Sequence, residues 1–570
     1  MAQSFFVTAQ AYIFRKITNH EMRQKRALYT LVYVLLTIVV VFAALHITVT
    51  FYLNDKIKEG LKTEVDKQTN GEYLLHINQL KINIFNQSVS VIGFELTPVK
   101  NIRPTSIKYA ASANEIHLID FEIWPFILHN KLMVEKMKML NPAVIIFRNT
   151  AHKQKTSRDS SKKFSIYSLL NKHIDALSIG RIKIRNAKLQ VFNTFTDSVP
   201  SISTNNNELT IANFQVNEKA EQEKRLFIAD TCQLIINKFA YVTANNLSTL
   251  RINKITASYL DSTLLLDSVQ LIPNYSKKVY ALKAGQQTDR VAISVWQASF
   301  YQMDVRSFFE RNEVKAERLK ISDFSLSAYR DKNDPRINKR VKSVQEALKS
   351  IPVLTNIEKI QLDKGLVEYE EVAKGAKESG KISFHQMNGT MIGFTSDPVL
   401  FSKNKFNVDL NCRFMGVGKL EAHYSFPLNT NKMVFDFSAK LSEMPLREMN
   451  KILLPHMHVS IKDGIVDSTI IAFHASDISS TGTIRIVHRE LKIELLDKSN
   501  RPNFFHRVIS SVVQSILQKK SSNNGGMGKI HYERNPNRFI FHYTWKSVLS
   551  GLKSSFGLPD KKKKESDEDK

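Results

Sequence analysis

The chain has 570 residues, and 43% of them are hydrophobic, which is enough for a large core and excludes a wholly disordered protein. Lys and Arg number 81 against 54 Asp and Glu, and the resulting net charge of +27 favours anionic partners. The two cysteines, Cys232 and Cys412, lie in unrelated contexts and exclude a disulfide framework.

The first predicted element is a transmembrane helix over residues 28–53, which are apolar apart from a few Thr residues and His46. A helix of this length crosses the roughly 30 Å of hydrocarbon in a bilayer. Five basic residues precede it, whereas the segment after it is nearly balanced in charge. This bias predicts a cytoplasmic segment over residues 1–27 and places the bulk of the chain outside, where nucleic acid is not an expected partner. The alternative, a cleaved signal peptide, requires a shorter apolar run.

Next comes a predicted linker helix over residues 54–72, followed by short strands in which apolar and polar residues alternate. We predict a first β-rich repeat unit over residues 73–248 and a second over residues 249–378, because three segments recur in the same order. The pairs that align without gaps are 76–98 with 251–273, 126–149 with 308–331, and 179–184 with 357–362.

A third β-rich region is predicted over residues 379–500. In it a short helix ends at Pro455, Gly464 forms a turn, and residues 480–495 form a hairpin. Residues 501–558 are predicted to contain two amphipathic helices and a strand pair near residues 530–543, before a disordered charged tail over residues 559–570. The first of these helices carries one apolar stripe, formed by Phe504, Phe505, Val508, Ile509, Val512, Val513, Ile516 and Leu517.

The strands carry aliphatic side chains on one face and Lys or Arg on the other, as in residues 80–84 and 182–185. The basic face is interpreted either as a solvated surface or as a surface that meets anionic headgroups or wall polymers. Few helices are predicted, so the chain has little with which to cover its own apolar sheet face. Two arrangements satisfy this pattern: a gutter-shaped sheet with an open apolar lane, or β-sandwiches whose apolar faces meet.

Several segments together resemble the AsmA-like family of Gram-negative envelope proteins, which is similar in architecture to the bridge-like lipid transfer proteins. They are the anchor helix, the strand pair of residues 134–146 and 179–189, the passage from the helix at Pro455 to Val466, and the hairpin near Gly482. The resemblance covers roughly residues 28–500. It implies a mainly β fold, in which an N-terminal transmembrane helix precedes an elongated, curved antiparallel sheet.

The resemblance further implies an inner-membrane anchor, a periplasmic body, and a concave apolar face that carries phospholipid acyl chains between envelope membranes. Phospholipid is then the expected ligand, and an outer-membrane or envelope protein is a further expected partner at the C-terminal end. The residues predicted to line this groove are Leu80, Ile82, Ile84, Val89, Val91, Phe94, Leu96, Met137, Met139, Ile182, Ile184, Ile255, Leu264, Leu266, Val269, Leu271, Leu319, Ile321, Ile360 and Leu362.

No enzyme is predicted, since the sequence lacks GxSxG, HExxH, CxxC and P-loop motifs, and no cofactor or metal is expected. His456 and His458 lack a third ligand for a metal. The alternative function is a membrane-anchored envelope scaffold, built of β-sandwiches, that binds a protein or glycan partner without transporting lipid.

Overall fold

The computed structural model describes residues 33, 35, 37, 54–83, 87–99, 107–148, 167, 174–194, 196–223, 228–311, 313–335, 340–497 and 526–555. Tyr33, Leu35 and Thr37 are helical, but the rest of the predicted transmembrane helix lies outside the described residues. The predicted amphipathic helix of residues 503–520, the charged tail and Ile84 also lie outside them. No helix in the described part of the chain has both the length and the apolarity that crossing a membrane requires.

The fold is mainly β, with strands that reach 19 residues and short helices between them. The strands of the first unit are β1 (Tyr73–Asn83), β2 (Ser88–Pro98), β3 (Lys108–Glu122), β4 (Lys131–Leu140), β5 (Ala143–Phe147), β6 (Ala176–Phe192), β7 (Ile202–Val216) and β8 (Thr231–Val242). The next are β9 (Ser248–Ser258), β10 (Thr263–Pro273), β11 (Arg290–Met303), β12 (Glu313–Asp331), β13 (Leu354–Val372) and β14 (Ser379–Thr395). The last are β15 (Lys405–Phe414), β16 (Gly418–Pro427), β17 (Phe435–Pro445), β18 (Val459–Ala475), β19 (Ser479–Leu495) and β20 (Gly526–Glu533).

The helices connect these strands or lie on the sheet. They are α1 (Asn54–Gln68), α2 (Ile123–His129), α3 (Glu218–Gln222), α4 (Lys277–Ala284), α5 (Val305–Arg311), α6 (Val344–Lys349), α7 (Pro398–Phe401), α8 (Asn450–Met457) and α9 (Ile540–Ser555), with a 3₁₀ turn at Leu446–Met449.

All 20 strands that the structure describes belong to one long, curved sheet, and each strand pairs with its neighbours in the sequence. β4 and β5 share one position, because both pair with β3 on one side and with β6 on the other. Neighbours are antiparallel except at two joints, β4/β5 with β6 and β12 with β13. A parallel joint requires a long crossover, and residues 148–175 and 332–353 provide the two crossovers.

The internal repeat is confirmed by the pairing of the strands. β1, β2, β3, α2, β4/β5 and β6 recur as β9, β10, β11, α5, β12 and β13, with the same two kinds of strand joint. Residues that the sequence alignment equates form the same cross-strand pairs in both copies: Ile77–Phe94 and Ile252–Val269, and at the parallel joint Val134–Ile179 and Ala316–Ile357.

Left-handed backbone positions recur with the repeat as well. Equivalent residues with positive φ are Gly93 and Ser268, Asp120 and Gln302, Asn141 and Asp323, and Asn186 and Lys364. The pairing register shifts beside Asn186 and Lys364, which is the pattern of a β-bulge. A bulge adds one residue to a strand and lets apolar residues on both sides of it keep the same face. The duplicated unit therefore repeats its bends as well as its strands.

Of the two arrangements that the pattern allowed, the described strands form the single sheet rather than separate β-sandwiches. Two sequence predictions are wrong in this part of the chain. Residues 480–495 are one continuous strand, β19, rather than a hairpin, and Gly482 lies within it, where any side chain would overlap the backbone of Ala472. Gly464, at φ 132°, is not a turn: it lies inside β18, where the register to β19 shifts.

The predicted strand pair near residues 530–543 is also wrong. Only β20 is a strand there, and it pairs with β19. The helix α9 begins at Ile540, and its Phe541 and Tyr543 pack against the rings of Tyr369 and Phe435 on the face of the sheet instead of forming a further strand. The helix that was predicted to end at Pro455 continues to Met457 and ends where His458 adopts a left-handed conformation.

Candidate functional site

One row of apolar side chains crosses the whole sheet from β1 to β20. Each member is the registered partner of the next, so the row follows the direction of the hydrogen bonds and crosses every strand position. Its members are Leu80, Val91, Ile116, Met139, Ile184, Leu209, Leu234, Ala257, Leu264, Phe300, Leu319, Ile360, Met391, Val408, Tyr424, Phe437, Phe473, Gly482 and Ile530.

A second row runs beside it from β8 to β19, and it contains Ile236, Ile255, Leu266, Ala298, Ile321, Leu362, Gly389, Leu410, Ala422, Ala439, Ile471 and Ile484. The two rows lie on the same face, because residues two apart along a strand project to the same side. At about 4.8 Å per strand, a sheet of 20 strands measures on the order of 90 Å along such a row. We call this side of the sheet the apolar face.

The groove residues predicted from the sequence lie on this face wherever the structure describes them. Most are buried: Leu80, Val89, Val91, Phe94, Leu96, Met139, Ile182, Leu271, Leu319, Ile321 and Ile360. The others are half-buried: Met137, Ile184, Ile255, Leu264, Leu266, Val269 and Leu362. Ile82 is placed only by its backbone, which pairs with Val89. The predicted residues thus share one face, and their contact with lipid stays a prediction.

The opposite side of the sheet, which we call the basic face, carries the basic residues that the alternation predicted. Lys81, Lys138, Arg185, Arg318 and Lys320 are all exposed. Elsewhere on the surface some lysines are paired with acids, for example Lys462, which lies 2.8 Å from Glu494. A basic, solvated face and an apolar face therefore belong to the same strands.

The first part of the apolar face is covered by a helix. Leu61 and Val65 of α1 are buried in the same core as Ile77 and Phe94, and Lys58 donates a hydrogen bond to the Asn78 carbonyl oxygen at 3.2 Å. Leu35, from the predicted transmembrane segment, also packs against this core. The face of β1 to β7 is therefore largely removed from water.

The last part of the apolar face is filled by α9. Tyr543 is buried and meets the ring of Phe435 edge-on at 5.7 Å. The Tyr424 hydroxyl donates to Thr544 Oγ1 at 3.4 Å, and burial raises the pKa of Tyr424 to about 12. Small residues let α9 approach the sheet closely, since Gly551 packs against Ile484 and Ile530. The sequence predicts a short helix over residues 545–556 that either closes a groove or packs as core, or else docks on a partner or membrane. The structure extends this helix to Ile540–Ser555 and packs it onto the sheet.

Between these two covered regions, the apolar face of β8 to β10 is only half-buried. We call this segment the apolar window, and its residues are Leu234, Ile236, Ile255, Ala257, Leu264, Leu266 and Val269. At its edge, Leu266 and Val269 pack against the core that continues beneath the later strands. Contiguous apolar surface that stays accessible to water is unfavourable and commonly marks a place where a ligand or partner binds.

A polar cluster is buried at the end of the second unit. Arg330 donates two hydrogen bonds to Asp289, at 2.7 and 2.6 Å, and both side chains are buried. Burial opposes the charge of Arg330, but Asp289 outweighs it and raises the pKa of Arg330. Glu371 is also buried, and Lys332 at 2.7 Å outweighs that burial and holds the pKa of Glu371 below its usual range.

The same cluster binds α8 to the sheet. His456 lies 2.9 Å from the Glu371 carbonyl oxygen, and the Tyr369 hydroxyl donates to the Glu371 carboxylate at 2.5 Å. His456 is therefore a structural residue that is only partly exposed. Within the described ranges, no group of three His, Cys, Asp or Glu side chains could hold a metal ion. Burial raises the pKa of both Cys232 and Cys412, which makes these thiols poor nucleophiles.

The chain matches no protein-family model and no curated protein. Its function is therefore inferred from its architecture and from the two rows on its apolar face.

Proposed function

We propose that the protein is a lipid carrier that holds phospholipid acyl chains against the apolar window. The observation that carries this proposal is the continuous apolar row, which is covered by α1 at one end and by α9 at the other but is only half-buried at β8 to β10. Each leucine-sized side chain that a lipid tail covers contributes about 1.5–3 kcal/mol when burial is complete. A tail that lies along the rows would cover several of them at once.

The proposal includes a cellular setting. Residues 28–53 anchor the chain in the inner membrane of a Gram-negative envelope, the sheet projects into the periplasm, and an envelope protein receives the lipid at the C-terminal end. The apolar 26-residue segment and the basic residues before it support the anchor. The resemblance to AsmA-like proteins supports the rest.

The position of α9 shortens the part of the apolar face that is expected to contact lipid. A path open along the entire sheet would require that α9 be absent from the face of β13 to β20. We therefore propose that the lipid binds at β8 to β10, and that α9 closes the apolar face at its C-terminal end. This restricts the lipid-contacting residues to the apolar window rather than to the whole set that was predicted from the sequence.

Site-specific photo-crosslinking tests the proposal. A photoreactive amino acid at Leu234 or Leu266 of the full-length protein, purified in mild detergent, is expected to crosslink to phospholipid detected by mass spectrometry. The matched control is Lys254 on β9, which is exposed on the basic face beside Ile255. The control is expected to give no lipid adduct.

The opposite result is also informative. Recovery of no co-purifying phospholipid, together with no adduct from either window position, would overturn the proposal. It would instead favour a scaffold in which the apolar window binds a protein partner.

A further inference from the structure

Arg148 is a buried cation that has no acidic partner among the described residues. It follows β5, its side chain is 5% exposed, and its backbone N–H donates to the Phe192 carbonyl oxygen at 2.9 Å. Its Nη2 atom is buried and forms no hydrogen bond. The described ionisable groups that act on its pKa are the phenols of Tyr109 and Tyr241, which are neutral at pH 7.

The second copy of the repeat shows what an arginine at this position requires. Arg330 is the equivalent of Arg148, and Asp289 neutralises it through two hydrogen bonds. The residue equivalent to Asp289 is Ile107, which is apolar. This equivalence rests on strand pairs that match in the two copies, Tyr109–Ile146 and Val291–Ala328. The first copy therefore keeps the arginine, and at the position of Asp289 it has an apolar residue instead of a counterion.

A buried, unpaired guanidinium is strongly unfavourable, because the charge loses its hydration and gains no opposite charge in return. Burial lowers the pKa of Arg148 to about 10, so the side chain remains protonated at neutral pH. Arg330 is neutralised by an aspartate, whereas no described residue neutralises Arg148, so a bound anion is a candidate for its counterion.

The position of Arg148 also suits a ligand of the apolar face. Val144, Ile146 and Arg148 alternate along one side of β5 and its end, and Ile146 belongs to a small buried cluster with Tyr109 and Val191. Further along β3, Ala111 and Ala113 belong to the core beneath α1. The guanidinium thus lies at the rim of the apolar face, where a lipid with its tails on that face would place a headgroup.

We propose that Arg148, with Tyr109 and Tyr241 beside it, binds the phosphate group of an anionic ligand. A guanidinium can donate two parallel hydrogen bonds to phosphate oxygens, and a phenol hydroxyl can donate one more. In its lipid form this inference rests on the proposed function, since the ligand is then a phospholipid whose tails lie on the apolar face. The shared chemistry is a phosphate oxyanion, which free inorganic phosphate also provides.

The test uses the full-length protein and two substitutions. Arg148→Gln removes the cation, and Ile107→Asp supplies the counterion that the second copy already has. Inorganic phosphate and vesicles of phosphatidylglycerol are the two probes, with phosphatidylcholine vesicles for comparison. Thermal unfolding reports binding, because a ligand that binds only the folded state raises Tm.

The wild-type protein is expected to gain Tm with phosphate or with phosphatidylglycerol. Ile107→Asp is expected to have a higher Tm than the wild type without ligand and to show no further gain with ligand. Arg148→Gln is expected to bind phosphate about 10-fold to 100-fold more weakly. If Arg148→Gln fails to fold, Ile107→Asp still tests the site, because it keeps the arginine.

Three results separate the possibilities. A Tm gain with inorganic phosphate but not with phosphatidylglycerol identifies free phosphate as the ligand and leaves the lipid proposal to the crosslinking test. A Tm gain that persists in Ile107→Asp overturns the site, as does the absence of any gain in the wild type. Lipid that crosslinks at Leu266 in Arg148→Gln as strongly as in the wild type supports the lipid proposal while it removes Arg148 from it.

Discussion

Gly528 of β20 lies so close to Gly551 of α9 that a methyl group on Gly528 would overlap the Gly551 carbonyl oxygen. This approach holds α9 against the apolar face. We predict that Gly528→Ala lowers the free energy of unfolding by about 1–3 kcal/mol, the usual range for overpacking. Urea unfolding measures it. Lys529→Ala, an exposed neighbour on the same strand, is the control and is expected to stay within about 0.5 kcal/mol of the wild type. Equal effects of the two substitutions would show that α9 is not held in this way.

The buried pair Asp289–Arg330 predicts a large effect of a small change. Asp289→Asn keeps the shape of the side chain but leaves Arg330 uncompensated, which typically costs about 3–5 kcal/mol. The comparison is Glu421→Gln, which breaks the exposed ion pair with Lys419 and is expected to cost about 0–1 kcal/mol. Denaturant unfolding measures the loss in the free energy of unfolding for each variant. A difference of less than about 1 kcal/mol between the two losses would contradict the assigned role of Asp289.

We predict that the protein loses stability in mildly acidic solution because of the surroundings of His542 in α9. Burial lowers its pKa well below the usual value of 6.5, with further contributions from Lys546, Arg538, Lys332 and Arg330. The folded state therefore keeps this histidine neutral while the unfolded chain protonates it. Stability from this group is complete above pH 6.5 and is lost as the pH falls below that value, by up to about 1.4 kcal/mol per pH unit.

Thermal unfolding at pH 7.5 and pH 5.5 measures this effect. His542→Gln is expected to have a smaller drop in Tm between the two pH values than the wild type. The pH range of this effect differs from that of Glu371. The lowered pKa of Glu371 stabilises the folded state above the ordinary value of 4.5, and this contribution is lost only as the pH falls below 4.5. Identical pH dependence in the wild type and in His542→Gln would contradict the assignment.

Leu265 and Leu266 are adjacent on β10 and both half-buried, but they project to opposite faces. Leu266→Asp places a charge in the apolar window, so we predict that the purified protein loses most of its bound phospholipid. Leu265→Asp places the same charge on the basic face, and this variant is expected to retain the lipid. Each substitution is expected to reduce stability by about 1–2 kcal/mol, because each removes a half-buried leucine. Lipid quantified by mass spectrometry per mole of folded protein decides between the two faces.

Ser268 and Gly93 occupy equivalent left-handed positions, at φ 52° and 66°. A non-glycine residue in this conformation is strained, so Ser268→Gly is predicted to raise the free energy of unfolding by up to about 1 kcal/mol. The reverse change, Gly93→Ser, is predicted to be destabilising, because its Cβ would also overlap the side chain of Asn78. Urea midpoints of the two variants should shift in opposite directions.

The repeat and the apolar face could be predicted from the sequence because both are local patterns. Leu264 and Leu266 align with Val89 and Val91, and this alignment requires no knowledge of the fold. The equivalence of Arg148 and Arg330 was visible as well, since both lie in aligned segments. The missing counterion was not, because Ile107 lies outside those segments and is matched to Asp289 only by the strand pairs Tyr109–Ile146 and Val291–Ala328. It became meaningful when the structure showed that both arginines are buried.

Other features depended on contacts between residues distant in the sequence. The alternating aromatics at Phe539, Phe541 and Tyr543 resemble a strand, but Tyr543 packs on Phe435 and Phe541 on Tyr369, more than a hundred residues away. Gly482 suggested a turn, whereas the neighbouring backbone of β18 requires it to be glycine. Local propensity cannot distinguish these cases, because the deciding contacts come from other strands.

The order of the strands has a consequence for the way in which the chain folds. Every described strand pairs with strands that precede or follow it closely, so each can be added to a preformed edge as the chain emerges from synthesis, N-terminus first. None of these strands requires a partner that is distant in the sequence, so the entropy lost in closing the loop before each new strand is small. The apolar rows would lengthen one strand at a time, with α9 arriving last to cover the final strands. Unfolding of such an array proceeds from its ends, as in other repeat proteins, and need not be two-state.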